Sequence, residues 1–146
     1  MDGSFSLVYL VFNTIGNLTT QALQVACFAN AAAHLEVGGT FVIEVGMPEL
    51  QRLPPGETAR PFTLTETHLG CDEYDVAEQG LISHHFELVD GRWERNSLPF
   101  RYVWTAELDL MARLAGMTLS ERWSDWDRSP FTRESRKHVS LWRKEG

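Results

Sequence analysis

Apolar side chains run almost without a break from Phe5 to Phe12. A run of that length, rich in β-formers, predicts a strand buried on both faces, as in the parallel sheet of an α/β protein. It gives way at Asn13-Thr-Ile-Gly-Asn17 to a polar turn. Thr19 or Thr20 then offers a hydroxyl to cap a helix. Ala22, Val25, Phe28, Ala29, Ala32 and Leu35 recur at three- and four-residue spacings, which is one apolar helical stripe. Gly38-Gly39 is the expected stop, since glycine accepts the left-handed conformation at a helix end. Thr40–Val45 reads as a second short buried strand. Residues 1–46 are thus a strand–helix–strand unit whose two strands should be parallel.

Pro48, Pro54, Pro55, Gly56 and Pro61 then predict a loop from Gly46 to Pro61. The next block, 62–104, holds several β-like runs. Leu81–Val89 and Trp93–Trp104 flank Asp90-Gly91, a pair suited to a hairpin turn in which both central residues have φ > 0. Asn96-Ser-Leu-Pro99 predicts a bulge in the second arm. Residues 105–146 read as helix, strand, loop, strand. Thr105 is the expected N-cap, Leu108, Met111, Ala112 and Ala115 form the apolar face, and Gly116 ends it. Met117–Trp123 and Lys137–Arg143 are the closing strands. The alternation gives an α/β fold class for one domain of 146 residues.

Charge adds an asymmetry. Residues 1–91 hold two bases against twelve acids, and residues 92–146 eleven bases against eight, for a net charge of −7. An acidic chain is a poor partner for nucleic acid, whose backbone is neutralised by Lys and Arg. Arg92, Arg95 and Arg101 are the best candidates for a basic mouth, against the plainer reading of an acidic face and a neutral tail. No apolar run approaches the ~20 residues of a membrane span, and the first residues lack a basic leader. Two cysteines, Cys27 and Cys71, with no CxxC and no zinc-type spacing, suit a cytoplasmic protein with free thiols and no metal site.

Four segments resemble the C-terminal half of class I S-adenosylmethionine-dependent methyltransferases. Phe5–Asn13 is similar to the fourth strand and its cofactor-side end. Ala33-His-Leu-Glu-Val-Gly-Gly-Thr-Phe-Val-Ile-Glu44 resembles the helix-to-strand-five junction, with Val37 where proline is common. Leu108–Met117, ending Ala-Gly-Met, resembles the turn before strand six. Ser135–Lys144 resembles the terminal strand. The family's glycine-rich turn and ribose-binding acid have no counterpart here, and no GxGxG occurs. The resemblance therefore implies a partial Rossmann-like sheet lacking its first three strands, with residues 62–104 as an inserted antiparallel cover over the acceptor site. Gene truncation, a late start and a split protein all remain open. S-adenosylmethionine is the implied cofactor, held weakly or not at all by this chain alone, and a small molecule is the implied methyl acceptor. The alternative is an inactive remnant serving as a dimerising or binding module. The expected partner is a second copy through the strand at 5–12, or a missing N-terminal half.

Ligands of open α/β sheets lie beyond the carboxyl ends of the strands. By the resemblance, Phe12, Asn13 and Thr14 would meet the methionine part of the cofactor, while Ile15, Asn17, Arg101, Tyr102 and Trp104 would face the acceptor. The plain alternative makes Asn13, Thr14 and Asn17 turn and capping residues. His84, His85, Glu44 and Glu87 are the candidate bases. His84 and His85 are neighbours on a strand and must point to opposite faces. Solvent is the expected surrounding of either. His34 reads as a charge partner for its helix end, and His68 and His138 carry no signal.

Overall fold

A computed structural model describes residues 3–146. The chain divides into two compact units, one of residues up to Pro48 together with Val103–Gly146, the other Glu49–Tyr102.

The first unit is a four-stranded sheet with two helices. β1 (Phe5–Leu10) and β2 (Leu35–Gly46) are parallel, joined through α1 (Gln21–His34). After the second unit come α2 (Thr105–Leu114), β7 (Met117–Trp123) and β8 (Lys137–Lys144). The sheet order is β1-β2-β8-β7, so the last strand inserts between β2 and β7, antiparallel to both. Alternate residues of β2 and β8 send Phe41, Ile43, Val45 and Trp142 into the core with Phe28, Leu108 and Met111. Phe28 meets the Phe41 and Trp142 rings edge-on, with centroids 5.1 and 5.4 Å away, the arrangement aromatic quadrupoles favour.

The local signals acted partly as expected. Thr20 caps α1, its hydroxyl accepting from Leu23 N–H at 3.2 Å. The helix stops at His34, ahead of Gly38-Gly39. Leu35 is already extended and buried, and Lys144 donates to the terminal carbonyls of Ala32 and Leu35 at 2.8 and 2.7 Å. The glycines serve β2 instead. Gly38 has φ +81°, and a Cβ on Gly39 would stand 3.0 Å from the carbonyl oxygens of Phe5 and Glu36. Thr105 opens α2, and its N-cap is Trp104. β1 is not buried on both faces, because it forms the sheet's edge and leaves Phe5, Leu7 and Tyr9 exposed.

The second unit is an antiparallel meander, β3 (Ala59–Leu64), β4 (His68–Asp75), β5 (Gly80–Val89) and β6 (Arg92–Arg101), in that order. The segment expected to be loop from Gly46 to Pro61 carries a 3-10 turn at Glu49–Arg52 and the start of β3. The hairpin turns at Asp90 (φ +50°) and Gly91 (φ +77°), the pattern of the primed turns that match strand twist. The bulge expected at Asn96–Pro99 is absent, since β5 and β6 pair without a shift from Gly80↔Arg101 to Val89↔Arg92. The irregularity lies in β3 between Pro61 and Thr63, where proline supplies no N–H to a ladder.

Candidate functional site

The carboxyl end of β1 is where the backbone departs most from ordinary geometry. Phe12 and Asn13 both have positive φ, +58° and +55°. Asparagine tolerates this region, but a phenylalanine there carries about 1–2 kcal/mol of steric cost. The turn is held on all sides. Asn13 N–H donates to Glu44 O at 3.1 Å. Asn13 Oδ1 accepts from Gly46 N–H at 3.2 Å. The Thr14 hydroxyl donates to Val11 O, and Asn17 Nδ2 to Thr14 O at 3.1 Å. Gln24, itself buried, donates to Ile15 O at 3.2 Å. The outcome is a Phe12 ring 89% exposed, held out by a turn that is fully tied down. A strained position held this firmly is characteristic of functional sites.

Beside the turn, Glu44 anchors a charged ladder. Its carboxylate bonds Lys137 at 3.2 Å and accepts from Phe12 N–H at 3.4 Å, and Lys137 reaches Asp125 at 2.8 Å. Burial pulls the Glu44 carboxyl up, but bonds from Lys137, Phe12 N–H and Trp126 outweigh it and hold it below the usual range. Lys137 is held above its ordinary value by Asp125 first and Glu44 second. Glu44 is thus an ionised, committed carboxylate that braces the turn, not a free base.

The other expected site residues are placed differently. Ile15 is fully buried in the core and presents no side chain to a ligand. Arg101 is 5% exposed and donates to Gln79 Oε1 at 3.2 Å, and Tyr102 packs edge-on against Tyr74. Trp104 is half-buried at the N-cap of α2. Of the three arginines considered for a basic mouth, Arg92 is exposed at the start of β6. Arg101 is buried, and Arg95 donates to Ser97 Oγ at 2.9 Å beneath its stacking on Phe86. His34 uses Nδ1 toward Asn30 O at 3.0 Å.

His84 and His85 do point to opposite faces, but neither is simply solvated. His84 contacts Ser97 Oγ at 2.8 Å and Glu73 at 3.1 Å. His85 contacts His68 and Ser83. Two histidines without sequence signal prove the most structured. His68 belongs to that chain of contacts. His138 is fully buried, with Nδ1 at 2.8 Å from Ser140 Oγ and no partner for Nε2 among the described residues. Ser140 accepts from Arg122 at 2.7 Å, and Arg122 makes a two-pronged pair with Asp109, which also accepts from Trp142 Nε1 at 2.9 Å. The only sequence hint was the period-two alternation of β8, which puts His138, Ser140 and Trp142 on one face. Both cysteines are free and half-buried. No group of three or more His, Cys, Asp or Glu among the described residues is placed to hold a metal. No helix among them is long and apolar enough to cross a membrane.

The mixed sheet with its two helices, and the strained turn at the carboxyl end of β1, have counterparts among solved structures of methyltransferases. The chain superposes on the CcbJ methyltransferase from Streptomyces caelestis with a TM-score of 0.85 and 37% identity, over 99% of this chain and 59% of that one. An S-adenosylmethionine-dependent methyltransferase from Clostridium acetobutylicum follows at TM-score 0.76 and 10% identity, over 100% and 61%. The S-adenosylmethionine-bound amino pentose methyltransferase CalS10 from Micromonospora echinaspora matches at 0.70 and 17%, over 99% and 60%. No family model and no curated protein matches the chain. The chain is thus similar in both sequence and fold to the CcbJ methyltransferase, and in fold to the two S-adenosylmethionine-dependent enzymes. It spans about three fifths of the length of these solved proteins.

Proposed function

We propose that this chain supplies the methionine-side and acceptor-side part of an enzyme that transfers a methyl group from S-adenosylmethionine to a small-molecule acceptor. The observation that carries the reading is the Phe12–Asn13 turn, two consecutive left-handed residues fixed at the carboxyl end of β1. The residues present fit the cofactor's cationic end. The exposed Phe12 ring offers a π-face to a sulfonium, and Asn13 has its side-chain oxygen committed while its amide nitrogen meets no acceptor among the described residues. Phe12, Asn13 and Thr14 would hold that end, and the group would supply an electrophilic methyl. The chain's own residues position and brace. Glu44, ionised and paired with Lys137, fixes the turn and takes up no proton. Asn17 is the acceptor-side residue of the same turn. The acceptor class favoured is an amine, since an amino pentose, a sugar and a glycopeptide N-methyltransferase are among the similar folds.

The test is an amide NMR titration of the chain with S-adenosylmethionine. Shifts at residues 11–17 and 44–46 at millimolar ligand, lost in Phe12→Ala, are expected. Their absence would overturn the assignment of these residues, and saturable micromolar binding would overturn the expectation that the chain alone binds weakly.

A second reading, a binding or dimerising module, is favoured by the edge of β1. Phe5, Leu7, Val8 and Tyr9, with Asn30, Ala31 and His34 of α1, line a groove of about 550 Å³, and among the described residues no strand pairs the outer edge of β1. Unpaired backbone groups beside apolar side chains invite another strand. The occupant is a second copy, paired as a two-fold dimer, or a separate polypeptide matching the part of the solved proteins that this chain does not span. Sedimentation as a folded monomer at tens of micromolar, unchanged by Leu7→Lys, would exclude the second copy.

A further inference from the structure

Three neighbouring strands of the β3–β6 sheet bring a carboxylate, a histidine and a serine into line. Cross-strand pairing sets Cys71 opposite His84 and Ser97, and in the next row of that face Glu73 opposite Ile82 and Pro99. Residues paired in this way share a face, and so do residues two apart on one strand.

His84 stands between the other two. Its Nδ1 lies 2.8 Å from Ser97 Oγ and its Nε2 lies 3.1 Å from Glu73 Oε2. Arg95, on the same face two residues before Ser97, donates from Nε to Ser97 Oγ at 2.9 Å and brings Nη2 to 3.3 Å from His84 Nδ1. The directions follow from what each group can donate. A carboxylate only accepts, so His84 carries its proton on Nε2 and turns the lone pair of Nδ1 toward Ser97. That nitrogen has one lone pair, and the nearer donor, the Ser97 hydroxyl, takes it. Arg95 Nη2 is the donor left over. The His84 side chain is 12% exposed and that of Glu73 53%, so the imidazole is sheltered and is oriented from its solvent side.

The Ser97 N–H is placed to donate as well. Just past the end of β6, Tyr102 N–H donates to Gln79 O at 3.0 Å. Even-numbered residues of β6 therefore turn their backbone groups toward β5, and odd-numbered ones turn theirs away. β6 ends the sheet order, so Ser97 N–H points off an edge that no strand pairs among the described residues. Cys71, the other nucleophile of this row, is no rival. Burial and the Asp72 charge push its thiol up, and the thiol form is the unreactive one.

A nucleophile bonded to a base, a base oriented by a third group, and donors beside the nucleophile are the parts of an acyl-transfer site, whatever fold carries them. We propose that Ser97, His84, Glu73 and Arg95 hydrolyse small uncharged carboxylic esters through an acyl-Ser97 intermediate. Ser97 Oγ attacks the carbonyl carbon while its proton passes to His84 Nδ1. The carbonyl π pair becomes an oxyanion, held by Arg95 Nη2 and the Ser97 N–H. His84 gives the proton to the ester oxygen, the C–O bond breaks and the alcohol leaves. Water then attacks the acyl carbon. Its proton goes to His84 and on to Ser97 Oγ, and the carboxylic acid departs. The net change is one ester and one water to one acid and one alcohol. Glu73 is a positioning residue that acts through His84, and its charge disfavours an anionic acyl group. Ile82, 41% exposed and paired with Pro99, is the apolar shelf for a short acyl chain. The site lies wholly within the second unit and does not rest on the methyl-transfer reading.

The probe is an alkyl fluorophosphonate, which loses fluoride as the Ser97 Oγ–P bond forms and the hydroxyl proton passes to His84. Mass spectrometry should find one adduct on the folded chain, at Ser97, and none on the chain unfolded in urea. His84→Gln should slow labelling about a hundredfold or more. Glu73→Gln should lower the rate at saturating probe and leave the half-saturating concentration unchanged, a split that lost folding does not produce. Ser97→Ala should abolish the adduct and reduce hydrolysis of p-nitrophenyl butyrate to the rate of the unfolded chain. The proposal is overturned if no adduct forms at millimolar probe, if it forms on another residue, if the unfolded chain labels as fast, or if any of the three variants reacts like the parent.

Discussion

Acid should unfold this protein through His138. Burial, reinforced by the Arg122 guanidinium and only partly opposed by Asp109, lowers its pKa from the ordinary 6.5 to about 4. The folded chain therefore holds a proton there only below about pH 4, while the unfolded chain takes it up from pH 6.5. Between these values the unfolded state binds more protons, so stability falls as pH falls, and it is flat above 6.5 and below about 4. At ~1.4 kcal/mol per pH unit, the whole window is worth about 3 kcal/mol, of which about 2 kcal/mol is lost between pH 7 and pH 5. The perturbation is His138→Leu. Leucine has a similar volume and no proton to bind, and Ser140 Oγ keeps its bond from Arg122. Urea unfolding of both proteins at pH 7, 6 and 5 isolates the effect, because the carboxylates titrate alike in each. The parent should lose about 2 kcal/mol more than the variant over that span. Parallel pH profiles would show that His138 is hydrated or already charged when folded, and the reasoning would fail.

Phe12→Gly should raise stability by about 1 kcal/mol in chemical denaturation, because the ring is exposed and glycine relieves the left-handed strain. The same variant should lose its amide response to S-adenosylmethionine. Gly91→Val should cost about 1–2 kcal/mol by thermal melting, since a β-branched residue resists φ +77°. Asp109→Ala should cost about 3–5 kcal/mol by urea titration, because it strands the Arg122 charge and the buried Trp142 N–H together.

Elements whose instructions are local were legible in the sequence. The Thr20 cap, the Asp90-Gly91 turn and the α2 stripe each rest on neighbours within four residues. The strand β8 announced itself by its period-two alternation. What was missed depends on partners far along the chain. β4 reads as polar because His68 finds its partner only on β5. The end of α1 was misread because its cap is Lys144, 109 and 112 residues from the carbonyls it satisfies. The exposure of β1 could not be read from composition, since an edge strand and a central one can have the same apolar run. At the candidate site, Asn13 and Asn17 were visible as turn residues. The strain on Phe12 was not, because nothing in a phenylalanine signals a positive φ. The burial of Ile15 and Arg101 follows from packing that no single segment encodes.

The insertion of β8 between β2 and β7 has a kinetic consequence. Every pairing in the β3–β6 meander joins strands adjacent in sequence, so its loops close at small entropic cost. The first unit is the reverse. β2 cannot gain its second neighbour until residues nearly a hundred positions later arrive, as in Glu44↔Val139. During synthesis, the meander can pair while β2 still presents an open ladder, and the sheet around it closes last. Pulse-labelled hydrogen exchange during refolding should show β4 and β5 amides protected before those of β2 and β8. A delay imposed on β8, by slow translation or by a proline at Leu141, should lengthen the interval in which β2 can pair with the wrong strand.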